Sequence, residues 1–195
     1  PPAGWLTWHM TKLMIILGSV RPKRAGEAVA EWVRGAVAAH HHSFEVDFVD
    51  LRELALPFMD EPEHPAKKAY TQPHTIAWSQ RVDAADAFIL VSPEYNHSYS
   101  PALKNALDFL ATEWKHKPVG LVSYGGVSGG TRGVAALDPV LATVGLVKTS
   151  HSVEIDYVGT QIVDSVFTPA EKHAALLSHQ LDDLMELSAV LATLR

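Results

Sequence analysis

The chain contains no cysteine. That excludes a disulfide framework, a thiolate-held zinc or iron–sulfur centre, and a thiol nucleophile such as a cysteine-dependent phosphatase needs. Long apolar runs are also missing, and none approaches the roughly 18 residues of a membrane span. Positive charge is not in excess: 16 Lys and Arg stand against 22 Asp and Glu, for a net charge of −6. Nucleic acid is therefore not expected as a main partner, because phosphate backbones are met by a basic face. Charged residues make up 19% and apolar residues 47%, which excludes disorder. The 195 residues suffice for one domain with a full core. A cytoplasmic location is expected.

What is present is an alternation of short apolar runs and longer amphipathic stretches. Residues 1–9 are rich in Trp and Pro and fit no element, whereas Met10-Thr11-Lys12 has the form of a natural start. We expect 1–9 to be an appended remnant and 10–195 to form a single domain. Leu13 to Leu17 is a continuous apolar run ending in Gly18, as in a strand buried on both faces. It is not a signal peptide, since Gly18-Ser19-Val20-Arg21-Pro22 offers no cleavage site. Val29, Trp32, Val33, Ala36 and Val37 then recur at helical spacing over 25–39. Phe44, Val46 and Phe48 alternate with acidic residues in a second strand. Residues 50–73 read as a long surface excursion. Further strands are expected at 87–91, 118–123 and within 146–155, and helices at 75–85, 102–111, 133–144 and 169–194. Such an order predicts an α/β fold with a doubly wound parallel sheet. Its ligand site belongs at the carboxyl ends of the strands.

Three loops lie at that edge. The first, Gly18 to Gly26, places Arg21, Lys23 and Arg24 at the start of a helix. Cations are unfavourable beside the positive end of a helix dipole, unless an anion sits between them and the free N–H groups. Ser19 adds a hydroxyl donor and Arg21 a bidentate fork. The loop has neither the Gly-x-Gly-x-x-Gly of a dinucleotide fold nor the Gly-Lys-Ser of a nucleoside triphosphate loop, so a phosphomonoester fits best. The second, Ser92 to Pro101, brings backbone N–H groups, the Tyr95 ring and the Asn96 amide to where a flat polar ring would lie, or alternatively packs on a neighbouring subunit. The third, Gly125 to Gly130, permits close backbone approach.

Taken together, Gly18-Ser19-x-Arg21, Pro93-Glu94-Tyr95-Asn96 and Leu103-Lys104-Asn105-Ala106-x-Asp108 resemble the NADPH-dependent FMN reductases. Asp50-Leu51, Leu56-Pro57 and Ser123-Tyr124-Gly125-Gly126 extend the resemblance over about Leu13 to Gly145. It implies a flavodoxin-like five-stranded parallel sheet of order 2-1-3-4-5 with helices on both faces. It implies FMN as cofactor and NADPH or NADH as donor. Ser19, Arg21, Arg24 and Gly26 would then hold the FMN phosphate. Pro93, Glu94, Tyr95 and Asn96 would line the isoalloxazine, with Ser123, Gly125 and Gly126 at its other edge. Lys104, Asn105 and Asp108 would organise that loop and a dimer face. The implied reaction is ping-pong: hydride passes to the flavin, then electrons to a flavin, quinone, azo compound or metal oxyanion. No side chain is expected to act as nucleophile or base.

Two rivals share features of this pattern. Gly126-Val127-Ser128-Gly129-Gly130 matches the nucleophile elbow of serine hydrolases, with Asp138, Asp156 or Asp164 and His173 or His179 in the right chain order. However, four residues, Tyr124 to Val127, stand between the expected strand end and Ser128. A flavodoxin-type electron carrier without turnover is the other rival, although a carrier would be more acidic. A response-regulator receiver is excluded, because the first strand ends in Gly-Ser rather than acidic residues. His40-His41-His42 ends a helix and is read as a solvated C-terminal cap, with no metal site expected. Trp32 is assigned to packing. Trp78, Phe109 and Trp114 are candidates for a subunit interface, in a homodimer or dimer of dimers, with packing of Phe109 and Trp114 against the closing helix of the same chain as the alternative.

Overall fold

The computed structural model describes residues 10–195, so the 1–9 segment lies outside the described residues. β1 (Thr11–Leu17) leads into α1 (Gly26–Ala39), β2 (Phe44–Asp50) and the short α2 (Leu51–Leu54). Then come α3 (Pro73–Asp83), β3 (Ala87–Pro93), α4 (Pro101–Asp108), β4 (Lys117–Tyr124) and α5 (Thr131–Val144). β5 (Leu146–Lys148), β6 (Val153–Ile155), a small hairpin of β7 (Ile162–Val163) and β8 (Val166–Phe167), and α6 (Glu171–Leu191) complete the order. The main sheet runs β2-β1-β3-β4-β5, with β6 also on β4, and every pairing in it is parallel.

The apolar run of β1 accounts for its central place. Met14 and Ile16 point to one face, into a core with Trp78, Val82, Leu103, Leu107 and Leu137 from α3, α4 and α5. Leu13, Ile15 and Leu17 point to the other, against Val29 and Val33 of α1 and Leu177 and Leu181 of α6. Period-two alternation thus serves two cores, and each fully buried Leu or Ile contributes about 1.5–3 kcal/mol. β3 and β4 are buried along their whole length, as strands with helices on both faces must be.

Two expectations need correction. The fifth strand is not continuous: Thr149 to Ser152 interrupts it. There the Thr149 hydroxyl turns back to the His151 carbonyl, and Gln180 of α6 donates to the carbonyls of Leu121 and His151. Gly120 makes this insertion possible, since a Cβ there would lie 2.6 Å from the Gln180 side chain. Secondly, Trp78, Phe109 and Trp114 are core residues within one chain, not interface residues. All three are buried, Trp114 lies 5.0 Å from the Phe88 ring and 6.0 Å from Trp78, and both indole N–H groups donate to α4 carbonyls. Phe109 falls off the stripe of α4 but just beyond its last turn, where the chain bends inward. Trp32 packs as expected, edge-on to Phe167 of the hairpin at 5.2 Å. Among the described residues, no helix is long and apolar enough to cross a membrane.

Candidate functional site

At the carboxyl edge the loop after β1 is fixed from three sides. The Gly18 N–H donates to Val91 of β3, at 2.9 Å. Ser100, the N-cap of α4, accepts from the Leu103 N–H and donates to the Gly18 carbonyl at 2.5 Å. Arg24 is buried and folds back over its own loop. It forms a bidentate pair with Asp50 at the end of β2, holds Glu27 at 3.1 and 3.0 Å, and donates to the Ser19 carbonyl. Those contacts occupy all five guanidinium donors.

The cations left over are Arg21 and Lys23. Both are exposed, and among the described residues neither side chain has a hydrogen bond or ion pair. Lys23 adopts a left-handed φ of 51°, which turns the loop outward before α1 begins. The N-cap of α1, Ala25, offers no side-chain cap, so the first turn's N–H groups have no side-chain partner there, and the Glu27 N–H has only a long bond of 3.4 Å to the Arg24 carbonyl. Gly26 is required there: a Cβ would stand 2.3 Å from the Tyr124 hydroxyl and 2.8 Å from Leu17. The Tyr124 hydroxyl itself is buried, with the Ser19 hydroxyl as a loose hydrogen-bonding neighbour that is already engaged with Tyr95. Burial pushes this phenol well above its ordinary pKa, so it stays a donor. Ser19 and Tyr95 share a hydroxyl–hydroxyl bond of 2.8 Å across the same space.

The second loop turns sharply. Tyr95 and Ser98 exchange two backbone bonds of 2.8 and 3.0 Å, with Asn96 and His97 both at positive φ. That is a primed hairpin turn, for which Asn is suited. It leaves Asn96 exposed at the tip and the Tyr95 ring over the loop after β1. The third loop needs glycine at 130, where φ is 94° and a Cβ would meet Ser123 at 2.6 Å. Ser123 pins it further by donating to the Gly129 carbonyl at 2.9 Å. Gly126, by contrast, has open space on its Cβ side.

Between the three loops lies a cleft of about 300 Å3. Seven of the eleven residues singled out by the sequence line it: Ser19, Arg21, Arg24, Pro93, Glu94, Tyr95 and Gly125. Gly26, Asn96, Ser123 and Gly126 lie just outside, as hinge, tip, staple and rim. Lys23, one of the three cations that the loop sequence marks, also lines the cleft, as do Ala25, Tyr124 and Val158, to which the sequence assigned no role of their own. Tyr124 had a signal, as the last residue of the most buried strand. Val158 had none, since it arrives on a short 3-10 turn after β6.

The profile of the family described as NADPH-dependent FMN reductase matches residues 11–159. This chain belongs to that family. An NAD(P)H-dependent FMN reductase of Schizosaccharomyces pombe is 45% identical over 121 residues, which is 61% of this chain and 60% of that protein. The match therefore spans about three fifths of that relative's length. An FMN-dependent NADPH-azoreductase of Staphylococcus saprophyticus is 31% identical, over 66% of this chain and 65% of its own. Among solved structures, the flavoenzyme NAD(P)H:(acceptor) oxidoreductase FerB of Paracoccus denitrificans superposes with a TM-score of 0.73. It has 23% identity, and the likeness covers 92% of this chain and 98% of that one.

Membership of the FMN reductase family agrees with the surroundings of Ser128. Its hydroxyl donates to Glu94 at 2.8 Å and accepts from Arg132 at 3.0 Å, and among the described residues no histidine hydrogen-bonds to it. Asp138 is paired with Lys148, and His173 is buried in α6. The elbow pattern therefore marks a loop staple. Burial disfavours the Glu94 charge, but hydrogen bonds from Arg132 and Ser128 outweigh it and hold the carboxyl below its ordinary 4.5. A lowered folded-state pKa means the staple stabilises fully above that value and is lost as pH falls below it. We expect Glu94→Gln to flatten the acid limb of the unfolding profile, measured by urea denaturation between about pH 3 and 6. An unchanged acid limb would show that the staple carries no stability.

Proposed function

We propose that the protein is an FMN-dependent NAD(P)H oxidoreductase, with 10–195 as one FMN-binding domain. The observation that carries the reading is a helix start without a side-chain cap and two cations unpaired among the described residues, set beside the buried Tyr124 and Ser19 hydroxyls. That donor set fits a phosphomonoester dianion. Ser19, Arg21, Lys23 and the Tyr124 hydroxyl would hold the phosphate. Arg24 has no donor to spare, so it acts by shaping the loop, and Gly26 by admitting Tyr124.

Pro93, Glu94, Tyr95 and Asn96 would meet one edge of the isoalloxazine, with the Glu94 side chain turned away toward Arg132. Gly125 and Gly126 would pass at the other edge, on the loop pinned by Ser123. The openness beside Gly126 supports this, since no protein atom requires a glycine there. Bound FMN would supply the redox chemistry, taking a hydride from NAD(P)H and passing electrons to a second small molecule. The chain's own part is to bind, orient and cover it. The acceptor class is a flavin, quinone, azo compound or metal oxyanion. Kinship with named reductases favours turnover over a pure electron carrier.

We also propose a homodimer or dimer of dimers. With the aromatics now in the core, the support is an apolar groove of about 440 Å3 between α2, the loop after it and α4. Phe58 stands 87% exposed on its rim, beside Leu54, Pro57 and Ala102. Light scattering at micromolar concentration should then give the mass of at least two chains; a single-chain mass with FMN bound would contradict it.

For the cofactor itself, FMN should bind far more tightly than riboflavin. Arg21→Ala should weaken FMN about tenfold to a hundredfold and leave riboflavin unchanged. Equal affinity for FMN and riboflavin in a fluorescence titration would discard the phosphate assignment.

A further inference from the structure

At the opposite end of α1 the three consecutive histidines gather on one side, with His41 66% exposed and His40 and His42 more covered. They converge on one carboxylate oxygen of α6. The Nε2 atoms of His40, His41 and His42 lie 3.5, 3.3 and 3.4 Å from Asp182 Oδ1. The His40 side chain is 5% exposed, and its Nε2 and Asp182 Oδ1 are both buried without a hydrogen-bond partner. Leaving such buried atoms unpaired forfeits their solvation without return, so the arrangement calls for something that satisfies them together.

We propose that His40, His41 and Asp182 bind a first-row divalent transition metal, Zn2+ foremost, with His42 or water as fourth ligand. The spacing is the main argument. Zinc takes His nitrogen and carboxylate oxygen at about 2.0–2.1 Å in a tetrahedron, whose edges are then about 3.3–3.4 Å. The three observed separations match that edge, whereas they are too long for good hydrogen bonds. The donor atoms of His40, His41 and Asp182 all lie within 4.8 Å of one another. Two imidazoles and one carboxylate form a ligand set suited to zinc, copper or nickel rather than calcium or magnesium. The His40 ring also has backbone partners: the Ser178 backbone bonds it, and the His42 N–H reaches its Nδ1 at 3.3 Å. Metal on Nε2 puts the ring proton on Nδ1, which gives up the long His42 contact.

The site's place in the fold makes its role mechanical. A 14-residue helix is about 21 Å long, so this end of α1 is remote from the cleft at its start. A metal here ties the end of α1 to α6 and leaves turnover alone. The test is calorimetric titration of the FMN-loaded protein with Zn2+, alongside thermal unfolding. We expect one saturable site per chain and a melting temperature that rises with Zn2+. Asp182→Asn and His41→Ala should each weaken binding at least tenfold and blunt the rise, with NAD(P)H oxidation unchanged. His151→Ala, which removes the neighbouring His151–Asp183 pair, should leave binding intact. Absence of saturable binding in the wild type, or equal affinity in the Asp182 and His41 variants, overturns the proposal. So does a loss confined to His151→Ala.

Discussion

The buried ion pair between Arg24 and Asp50 is the constraint on which the cleft depends. It joins the loop after β1 to the end of β2, across neighbouring parallel strands whose register already places Leu17 opposite Asp50. Removing one partner of such a pair costs about 3–5 kcal/mol, while a well-packed apolar pair of the same volume would serve stability equally well. Its value is therefore positional. Arg24 draws the Ser19 carbonyl inward and so turns the Ser19 hydroxyl toward Tyr95. It also spends the loop's buried cation internally, which leaves the exposed pair, Arg21 and Lys23, as the loop's charge available to a ligand.

The three loops are fastened to one another and to the sheet by the same kind of device, single polar side chains. Ser100 ties α4 to Gly18, and Glu94 ties the second loop to Ser128 and Arg132. Ser123 holds the glycine loop at Gly129. Each bond is modest, at about 0.5–1.5 kcal/mol net, or more where a charge takes part. Together they set three loops at fixed separation around one cleft, which a flat phosphorylated ligand requires and a packed core does not supply. The two cores fix only where the strands end.

Much of this was legible in the residues. The continuous apolar runs of β1, β3 and β4 have one physical solution, a parallel sheet covered on both faces, and the ligand edge follows from it. Loop chemistry was legible where residue type and position conflict, as with cations at a helix start. What stayed hidden depends on long-range contact. Nothing local distinguishes Arg24, which is internally paired, from Arg21, which is free; the difference is made by Asp50, 26 residues on. Phe109 and Trp114 fall off the helical stripe and so read as surface, yet the chain bends after α4 and buries both. The interruption of the fifth strand depends on Gln180, far along in α6, meeting the gap at Gly120. His40 to His42 look like a solvated cap until Asp182 arrives from the same helix.

The central claim is that this cleft holds FMN and works as an NAD(P)H-driven redox site. Its most direct test is the visible spectrum of the FMN-loaded, purified protein under anaerobic conditions. On adding NADPH or NADH the oxidised flavin bands should bleach with one equivalent of donor per FMN, and a quinone added afterwards should restore them. A protein that takes up no FMN, or whose bound flavin is not reduced by either nicotinamide, would contradict the account.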